Sequence, residues 1–570
     1  MPANISAVLG VLFADPVFDP QHGLSADDQD AVTYRQLGHI NDSIAAHEPL
    51  ASGNHELLRT LLELTAAASP SLFMAFFLHH SMATGATVEY GGEAGGLHGF
   101  GAIMMTELGY ASSSANILTE AHFDPTTGDF ALRTPSEAAV KFPSNIGAGG
   151  PAKWGVVSAR LFVDRVDRGP FLFRLQLRDF DGPCPGVSIK NIPAFPQLQL
   201  DYGSARFTDA RVPRSGWLPD GATITDGVFH DPLGGPRQRM LRTVSVSRLA
   251  HGSAALGLAA VARASLTIAA PFAGRRLANN RYGERRPLIA FRNEQRRLVG
   301  AMASAFAATA LARRTAAWCM RIGTSLSGSQ LRTASLVKVA VSRLASDATT
   351  RAQETCGAAG YVAQNRLLQY RDFAVTFHNS GGDNQMYMLN AAWAMIDGDY
   401  KPPAGLAQAT GVLDRSLALL QRREHHLYRE LVAARDDATN RGVDAFTVAN
   451  DLAESAQRFV EAYLNRLTVE ETRQHANDHD ATEALLSICE LLAVNGVLAH
   501  DGWHLAQETV TAPALRELSA AADRIYDRLT GEMETLVGML DIPPTVLRSP
   551  LVADDLFAEV VPPLPAMADE

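Results

Sequence analysis

Residues 171–178 read FLFRLQLR, and the first, third, fifth and seventh side chains of this run are all phenylalanine or leucine. A strand that buries one face has this period of two, whereas an amphipathic helix repeats every 3.6 residues. The sequence PTTG at 125–128 predicts a hairpin turn, because Gly128 can adopt a positive φ angle. Between Gly99 and Arg214 the same period predicts further strands at 117–123, 129–134, 154–163 and 204–212. We therefore predict one β domain in this part of the chain.

The regions on both sides of the β domain have helical spacing. LLRTLLEL at 57–64 places its leucines at i, i+3 and i+4, as an amphipathic helix does. The same spacing returns near residue 244 and continues to 541, with a linker predicted at Pro402 and Pro403. The sequence therefore predicts an α+β, mainly α protein in which a β domain separates helical regions.

Composition limits the class of protein. The chain has 570 residues, of which 46% are hydrophobic and 19% charged, as in globular proteins with several core-bearing units. Its net charge of −11 argues against nucleic acid as the main partner, because binding phosphates requires a basic surface. The most apolar segment, 249–273, is interrupted by His251, Ser253 and Arg263, so we expect a buried helix and no membrane insertion.

The cysteines and histidines do not predict a metal site. The four cysteines are scattered without CxxC spacing, which favours a reducing compartment, and no secretory leader is recognisable, so we expect the cytoplasm. His475 and His479 have the i, i+4 spacing of some zinc ligands. The segment around them is highly polar, and a solvated helix end explains it better. We assign no metal.

Three segments could bind a ligand or catalyse a reaction. The first, TELGYASS at 106–113, exposes hydroxyl groups beside a glycine, although a plain serine-rich loop would look the same. The second contains eight arginines between Arg275 and Arg297; guanidinium groups bind phosphates in bidentate fashion, but about half of these could form a solvated helix face. The third consists of two glycine turns, CGAAGY at 356–361 and SGGDN at 380–384. These turns lack the GxGxxG and GK[ST] patterns of nucleotide-binding folds.

Taken in order, these segments resemble the acyl-CoA oxidase branch of the acyl-CoA dehydrogenase superfamily. TELGYASS is similar to the family's TELGHGSN, and KFPSNIGAGG at 141–150 stands where the family has a second, glycine-bearing flavin loop. FAGRRLANN at 272–280 falls at the RRQFG turn, CGAAGY matches CGGHGY, and SGGDN matches YEGDN. The resemblance implies an N-terminal helical domain, a central β-barrel or sandwich domain, a helical bundle and an extra C-terminal helical domain. We place these domains at 1–98, 99–222, 223–400 and 401–570.

The resemblance also implies FAD bound at the interface of a homodimer, with the arginine turn and the CGAAGY region contributed by the second subunit. Its substrate would be an acyl thioester of CoA or of a carrier protein. Tyr110 and Ser112 would lie near that substrate. The resemblance implies that the cofactor-binding residues are Thr106, Gly147, Gly149, Arg275, Gly357, Asp383 and Asn384.

One departure from the family puts the chemistry in question. Family members remove the α-proton of the thioester with the glutamate of YEGDN, and Gly381 stands at that position here. Some relatives place the base just before a common arginine, which corresponds to Arg248, but Ser247 precedes it here. Losing a general base costs about 10²–10⁴ in rate. The catalytic residue is therefore unknown, with Asp383 as a weak candidate.

Three functions fit these observations. The first is an FAD-dependent acyl-thioester oxidase or dehydrogenase that forms an α,β double bond and passes electrons to O₂. The second is a flavin-dependent monooxygenase on the same fold, because hydroxylation of carbon or nitrogen needs no α-proton base; it would depend on added reductant. The third is a catalytically silent partner subunit, which would not retain flavin.

Overall fold

The computed structural model describes residues 9, 11–45, 55–93, 95–110, 113, 116–193, 198–281, 283–398, 400–403, 411–478 and 483–552. The chain divides into two compact units. Unit 1 contains Met1–Gly257 and Ala316–Leu331, and unit 2 contains Leu258–Thr315 and Arg332–Glu570. The four-domain division drawn from the resemblance stays a prediction.

Unit 1 contains a sheet of ten strands. Along its main path the order is β10-β6-β5-β2-β3-β9-β4, while β1 pairs with β5, β7 with β6 and β8 with β9. The path does not close on itself among the described strands, so the sheet is open and, of the predicted alternatives of a barrel or a sandwich, the closed barrel is excluded. The strands are β1 (Phe100–Met104), β2 (Glu120–Phe123), β3 (Phe130–Arg133), β4 (Lys141–Ser144), β5 (Lys153–Val163), β6 (Val166–Asp179), β7 (Gly182–Pro183), β8 (Val187–Asn191), β9 (Gly203–Val212) and β10 (Trp217–Leu218).

Two further short strand pairs are present, and one turn of the large sheet was predicted from the sequence. A two-stranded sheet joins β11 (Thr223–Thr225) to β12 (Val228–His230) in unit 1, and another joins β13 (Leu277–Asn279) to β14 (Arg285–Pro287) in unit 2. The predicted hairpin turn is confirmed, since Gly128 has a φ of +77° between β2 and β3. The pair β13–β14 was not predicted; its arginine-rich sequence lacks the apolar alternation of a half-buried strand.

The run FLFRLQLR lies within β6 and has the predicted buried face. Its phenylalanines and its leucines at 175 and 177 belong to the core of the sheet. Leu172 and Arg178, on the other face, are buried as well. Leu172 pairs in register with Leu218 of β10, and the Arg178 guanidinium binds a loop described below. The period of two therefore locates the strand, but it does not leave the second face exposed.

Helices form the rest of the described chain. In unit 1, Ser69 caps the helix that Pro70 begins, by accepting from the backbone N–H of Leu72. A π-helical segment, Phe77–Thr84, continues that helix through the two adjacent histidines. The α-helices before the sheet are Ala26–Ala45, His55–Ala68, Pro70–Phe76 and Gly85–Glu89.

After the sheet the chain is helical almost throughout. Within the stretch of predicted helical spacing, residues 285–287 pair as β14, and the next long helix begins at Arg292. The helices are Pro236–Val244, Ser247–Arg275, Arg292–Cys319, Gly328–Cys356, Leu367–Thr376, Asn384–Asp397, Gly411–Asn440, Ala445–Asp451, Ala453–Asp478, Glu483–Leu498, Asp501–Ala506, Ala512–Gly531, Met533–Met539 and Pro544–Leu547.

One helical stretch, Pro236–Arg275, is long and apolar enough to cross a membrane by length and composition alone. Its most apolar window is 94% buried inside the protein. A core helix passes the same test, and burial to this extent agrees with the buried helix that we predicted at 249–273.

Candidate functional site

In unit 1, the TELG turn is built around a buried ion pair. Glu107 is 2% exposed, Lys141 is fully buried, and Lys141 Nζ lies 2.9 Å from Glu107 Oε1. The Glu107 carboxylate also accepts from the backbone N–H groups of Leu118 (2.8 Å) and Thr119 (2.9 Å) and from the Thr119 hydroxyl (2.6 Å). These bonds to residues 118 and 119 explain why β2 begins at Glu120 and not at the predicted Ile117.

The pKa values of this pair follow from burial and mutual attraction. Burial tends to raise the pKa of Glu107, but Lys141 and the three hydrogen bonds outweigh it and hold that pKa below its usual value. Burial lowers the pKa of Lys141 to about 8, although Glu107 opposes this shift. The pair is charged at neutral pH and joins the TELG turn to β4.

Thr106 and Gly109 are fixed by the same connection. The Thr106 hydroxyl donates to the carbonyl of Phe142 at 2.6 Å, so its oxygen can still accept a hydrogen bond from a ligand. A Cβ on Gly109 would lie 2.5 Å from Cβ of Ala138, so only glycine allows this approach. Tyr110 follows and is 44% exposed. Ser112, predicted near the substrate, lies outside the described residues.

The predicted flavin loop, residues 143–151, is held by one arginine. Arg178 is 1% exposed, and its guanidinium donates to the carbonyls of Gly147, Gly149 and Pro151. The backbone N–H of Gly147 donates to the carbonyl of Asp201 at 2.7 Å. A Cβ on Gly147 would be crowded by Asp201 at 3.1 Å, whereas one on Gly149 would meet nothing within 4 Å. Of these two predicted glycines, Gly149 has open space beside its backbone.

A buried polar cluster lies behind this loop. Lys153 Nζ lies 3.2 Å from Asp201 Oδ2, and the Tyr34 hydroxyl donates to Asp201 Oδ1. Burial is the main cause of the lowered pKa of Lys153, about 8, and of a pKa of Tyr34 well above its usual value. Sequence reasoning missed Tyr34, Lys153 and Arg178; buried lysines and arginines in strands, where apolar residues are expected, were the available signal.

Ser247, which the resemblance aligns with the alternative base of some relatives, is also in unit 1. Ser247 begins the helix Ser247–Arg275. The adjacent Arg248 is buried, forms an ion pair with Glu89 at 2.7 Å and donates to the carbonyl of Arg321 at 2.9 Å. Glu89 in turn binds Arg242 at 3.0 Å. Its carboxylate is used by two arginines and is not placed as a base.

In unit 2, the structure brings together the arginine turn and the CGAAGY turn. Arg276 donates to the carbonyl of Cys356 at 3.2 Å, and a Cβ on Gly357 would lie 2.9 Å from its guanidinium. Gly357 has a φ of +56°, in the left-handed region that favours glycine. Arg275 is exposed and donates to the carbonyl of Leu551 at 2.6 Å. Among the eight arginines, Arg286, Arg292, Arg296 and Arg297 form ion pairs with carboxylates.

The SGGDN turn, also in unit 2, connects two helices through its glycines. Gly381 and Gly382 have φ angles of +65° and +100°, and a Cβ on Gly382 would overlap the ring of Tyr387. The Asp383 carboxylate accepts from the backbone N–H of Met386 and caps the helix Asn384–Asp397. The buried Asn384 side chain donates to Ser342 at 2.9 Å. The predicted contacts of Asp383 and Asn384 with a cofactor stay predictions.

One residue under this turn was not predicted. Lys338 is fully buried, and its Nζ donates to the carbonyl of Gly382 at 2.6 Å and to Asn384 Oδ1 at 3.0 Å. A lone lysine in the middle of a helix carries no motif, so its sequence gave no signal. His378, two residues before this turn, has a lowered pKa, chiefly because it is buried.

Among the part of the chain that the structure describes, no group of three or more His, Cys, Asp or Glu side chains could hold a metal ion. His479, one of the two histidines with zinc-like spacing, is outside that part. The four cysteines are unpaired thiols.

The fold itself is that of a known class of flavoenzymes. Over 99% of this chain, it superimposes on 91% of acyl-CoA oxidase 1 from Yarrowia lipolytica, with a TM-score of 0.81 at 16% identity. It superimposes to the same TM-score on acyl-CoA oxidase 2 from Caenorhabditis elegans, a structure with FAD, ascaroside-CoA and ATP, at 18% identity over 96% of this chain and 88% of that one.

The sequence comparisons define the family. A model for the acyl-CoA oxidase C-alpha1 domain matches residues 253–396, and one for acyl-CoA oxidase matches 413–555; together they cover half of the chain. The chain therefore belongs to the acyl-CoA oxidase family.

Two relatives illustrate the extent of similarity. Human peroxisomal acyl-coenzyme A oxidase 3 is 29% identical over 51% of this chain and 44% of its own length. Peroxisomal acyl-coenzyme A oxidase 1 of Arabidopsis thaliana is 26% identical over 70% of this chain and 61% of its own. The chain thus spans about half the length of the curated relatives that it matches.

These relatives correct one prediction. Their names place them in peroxisomes, so the cytoplasmic localisation predicted above is wrong. Unpaired cysteines indicate a reducing environment, but organelle targeting depends on short segments that receptors recognise, which cysteine usage does not reveal.

Proposed function

We propose that this protein is an FAD-dependent acyl-CoA oxidase that forms an α,β double bond in an acyl thioester and passes the electrons to O₂. The observation that supports it is the braced TELG turn in a chain that two acyl-CoA oxidase family models match in tandem. The relatives named for this activity provide the substrate class. We extend the proposal to a homodimer and to CoA in preference to a carrier protein.

The residues present fit a flavin. Gly149 leaves open space beside the loop that Arg178 holds, and Thr106 keeps an acceptor oxygen free for a ligand N–H. The exposed Arg275 suits a pyrophosphate, because a guanidinium offers paired donors. FAD, when bound, supplies the acceptor for the hydride that leaves Cβ of the substrate.

Within this proposal, each unit of the chain has a separate task. The Glu107–Lys141 pair fixes the TELG turn, and Arg178 fixes the carbonyls of the loop, so both are ready before a ligand binds. Preorganised groups of this kind lose little entropy on binding. Gly357 and Arg276 join the two turns that would contact the cofactor of the second subunit.

An anaerobic titration tests the function. The purified protein, with its bound flavin, is mixed with acyl-CoA thioesters of increasing chain length without added reductant, and flavin absorbance is recorded. Bleaching supports the oxidase. A flavoprotein that bleaches only with NAD(P)H or a reductase refutes it and supports the monooxygenase, which the missing glutamate at Gly381 favours. A protein that binds no FAD supports the silent subunit.

A further inference from the structure

Lys338 lies next to the position from which the family's glutamate is missing. A Cβ built on Gly381 would lie 4.0 Å from Cε of Lys338 and 3.9 Å from Cε1 of Phe377. The amine itself contacts the next residue of the turn, since Nζ lies 2.6 Å from the carbonyl oxygen of Gly382. Lys338 comes from a different element, the helix Gly328–Cys356. The turn that lacks a carboxylate therefore has a primary amine directly beneath it.

Lysine is rare in this chain, which makes its buried positions informative. Only five lysines occur among the 50 basic residues, so arginine supplies nearly all the positive charge. Three of the five are completely buried: Lys141, Lys153 and Lys338. Arginine stays protonated in proteins, whereas a buried lysine can lose its proton. A buried lysine in an arginine-rich chain is thus a position where deprotonation is chemically available.

Lys338 differs from the other two buried lysines in its partners. Lys141 and Lys153 form ion pairs with Glu107 and Asp201 at 2.9 and 3.2 Å. For Lys338, no described carboxylate lies within the 4.0 Å of an ion pair, and both of its hydrogen-bond acceptors are neutral. A buried amine with neutral acceptors loses its proton more easily than one beside a carboxylate.

The nitrogen of Lys338 has hydrogen-bond acceptors in two of its three directions. A tetrahedral amine has three directions besides its bond to Cε, and two are used by the bonds to Gly382 and Asn384. Among the described residues no acceptor occupies the third. In the neutral amine, the two N–H groups can keep both hydrogen bonds while the lone pair takes the third direction.

Three titratable groups face Lys338. Asp383 raises its pKa, and the nearby ring of Tyr387, with its centroid 5.8 Å from Nζ, is neutral because burial raises the pKa of that phenol to about 12. His378 stays largely neutral because burial, and then Lys338 and Arg343, lower its pKa. The effect of burial on the pKa of Lys338 outweighs the opposite effect of Asp383 and lowers that pKa to about 7.

We propose that the neutral amine of Lys338 is the base that removes the α-proton of the acyl thioester, in place of the glutamate absent at Gly381. This inference rests on the proposed function. In the step, the lone pair of Nζ forms an N–H bond as the Cα–H bond breaks. The electron pair of that bond becomes the Cα=Cβ π bond while a hydride leaves Cβ for the bound flavin. The ammonium that results returns its proton to solvent after the product leaves.

Two variants separate this role from a structural one. Lys338→Gln keeps an N–H donor for Gly382 but cannot accept a proton, and Lys338→Met removes both properties. Lys401→Gln makes the same chemical change at an exposed lysine of unit 2 and is the matched control. We expect both Lys338 variants to retain FAD absorbance and to bleach with acyl-CoA about 10²–10⁴ times more slowly, while Lys401→Gln matches the wild type.

A second measurement does not depend on turnover. Acetoacetyl-CoA has an acidic α-proton, and its enolate is detected by ultraviolet absorbance when the flavoprotein binds it. We expect the wild type to ionise it with a pH midpoint near the pKa of about 7 and the Lys338 variants to leave it protonated. Selective ¹³C labelling of the lysines, with a pH titration followed by NMR on wild-type protein, gives the pKa of Lys338 without any variant and without a reagent that must reach a buried amine.

The outcomes separate the two proposals. If the wild type bleaches and Lys338→Gln bleaches equally fast, Lys338 only supports the turn and the inference is wrong. If Asp383→Asn abolishes enolate formation while Lys338→Gln retains it, Asp383 is the base. If labelling gives Lys338 a pKa near the usual 10.5, the inference is overturned whether or not a variant folds. If the wild type ionises acetoacetyl-CoA but never bleaches with acyl-CoA, the oxidase function fails and the base assignment stands.

Discussion

Replacing Lys141 by methionine should destabilise unit 1 and loosen the turn that follows Thr106. Methionine fills a similar volume but leaves the Glu107 carboxylate 2% exposed with no cation beside it. Removing one partner of a buried ion pair costs about 3–5 kcal/mol, because the remaining charge stays desolvated. Here Glu107 keeps three hydrogen bonds from residues 118 and 119, so we expect the lower end of that range, about 3 kcal/mol.

The loss should be measurable as a thermal shift. For units of 150–250 residues, 1 kcal/mol corresponds to roughly 2–4 °C in the unfolding midpoint, so the variant should melt ~6–12 °C lower. Differential scanning calorimetry resolves the transitions of a protein with two compact units, and only one of them should move. Because the pair holds the TELG turn, the variant should also retain less FAD after purification.

The double variant Glu107→Gln with Lys141→Met is the control. A neutral amide at 107 still accepts from the Thr119 hydroxyl and leaves no buried charge, so stability should recover by at least half of the loss. The reasoning is refuted if Lys141→Met melts within 2 °C of the wild type, or if the double variant is as unstable as the single one.

Four further outcomes follow from the structure. Adding Gly381→Glu to Lys338→Gln should restore flavin bleaching by at least tenfold, because a Cβ there meets no atom within 3.9 Å, although the φ of +65° costs about 1–2 kcal/mol. Arg178→Lys, which cannot reach three carbonyls, should weaken FAD binding by about tenfold in an equilibrium titration, and unchanged affinity would contradict the role of the loop. Gly109→Val should lower the midpoint of unit 1, since Ala138 blocks its side chain. The stability of the wild type relative to Lys338→Met should rise between pH 7 and 10.5, because the folded protein binds fewer protons at Lys338 than the unfolded chain in that window; chemical denaturation at both pH values measures the difference.

Much of the fold was predictable because hydrophobic period is a local property. The period of two at 171–178 located β6, and PTTG located the turn at Gly128. What the period could not reveal is that the second face is also covered: Leu172 is buried, and its register partner in β10, Leu218, comes 46 residues later in the sequence. The choice between a closed barrel and an open sheet could not be made from the sequence for the same reason, since closure depends on which distant strands pair.

The candidate site was predictable only where a motif exists. The segments at 106–113 and 380–384 were found by their order along the chain, and the structure shows the glycines at 109 and 382 excluding any side chain. Arg178 and Lys338 lie in no motif, and Lys141 is the first residue of the 141–150 segment without a role assigned to it from the sequence. Each acts through partners that are distant in sequence, 27 to 46 residues away, so only the folded chain reveals them.

In our proposal, Gly381, which the resemblance aligns with the family's glutamate, and the buried Lys338 are connected because both lie at the same turn. A glutamate at 381 would place a proton acceptor on the turn itself. Lys338 places one beside the same turn from the helix Gly328–Cys356. A carboxylate on the turn would be charged at neutral pH and would raise the pKa of a neighbouring lysine. With glycine at 381, the nearest described carboxylate effect on Lys338 is that of Asp383, which burial outweighs. Within our proposal, a glycine at 381 therefore leaves the turn without a base and, by the same electrostatics, makes the amine of Lys338 available as one.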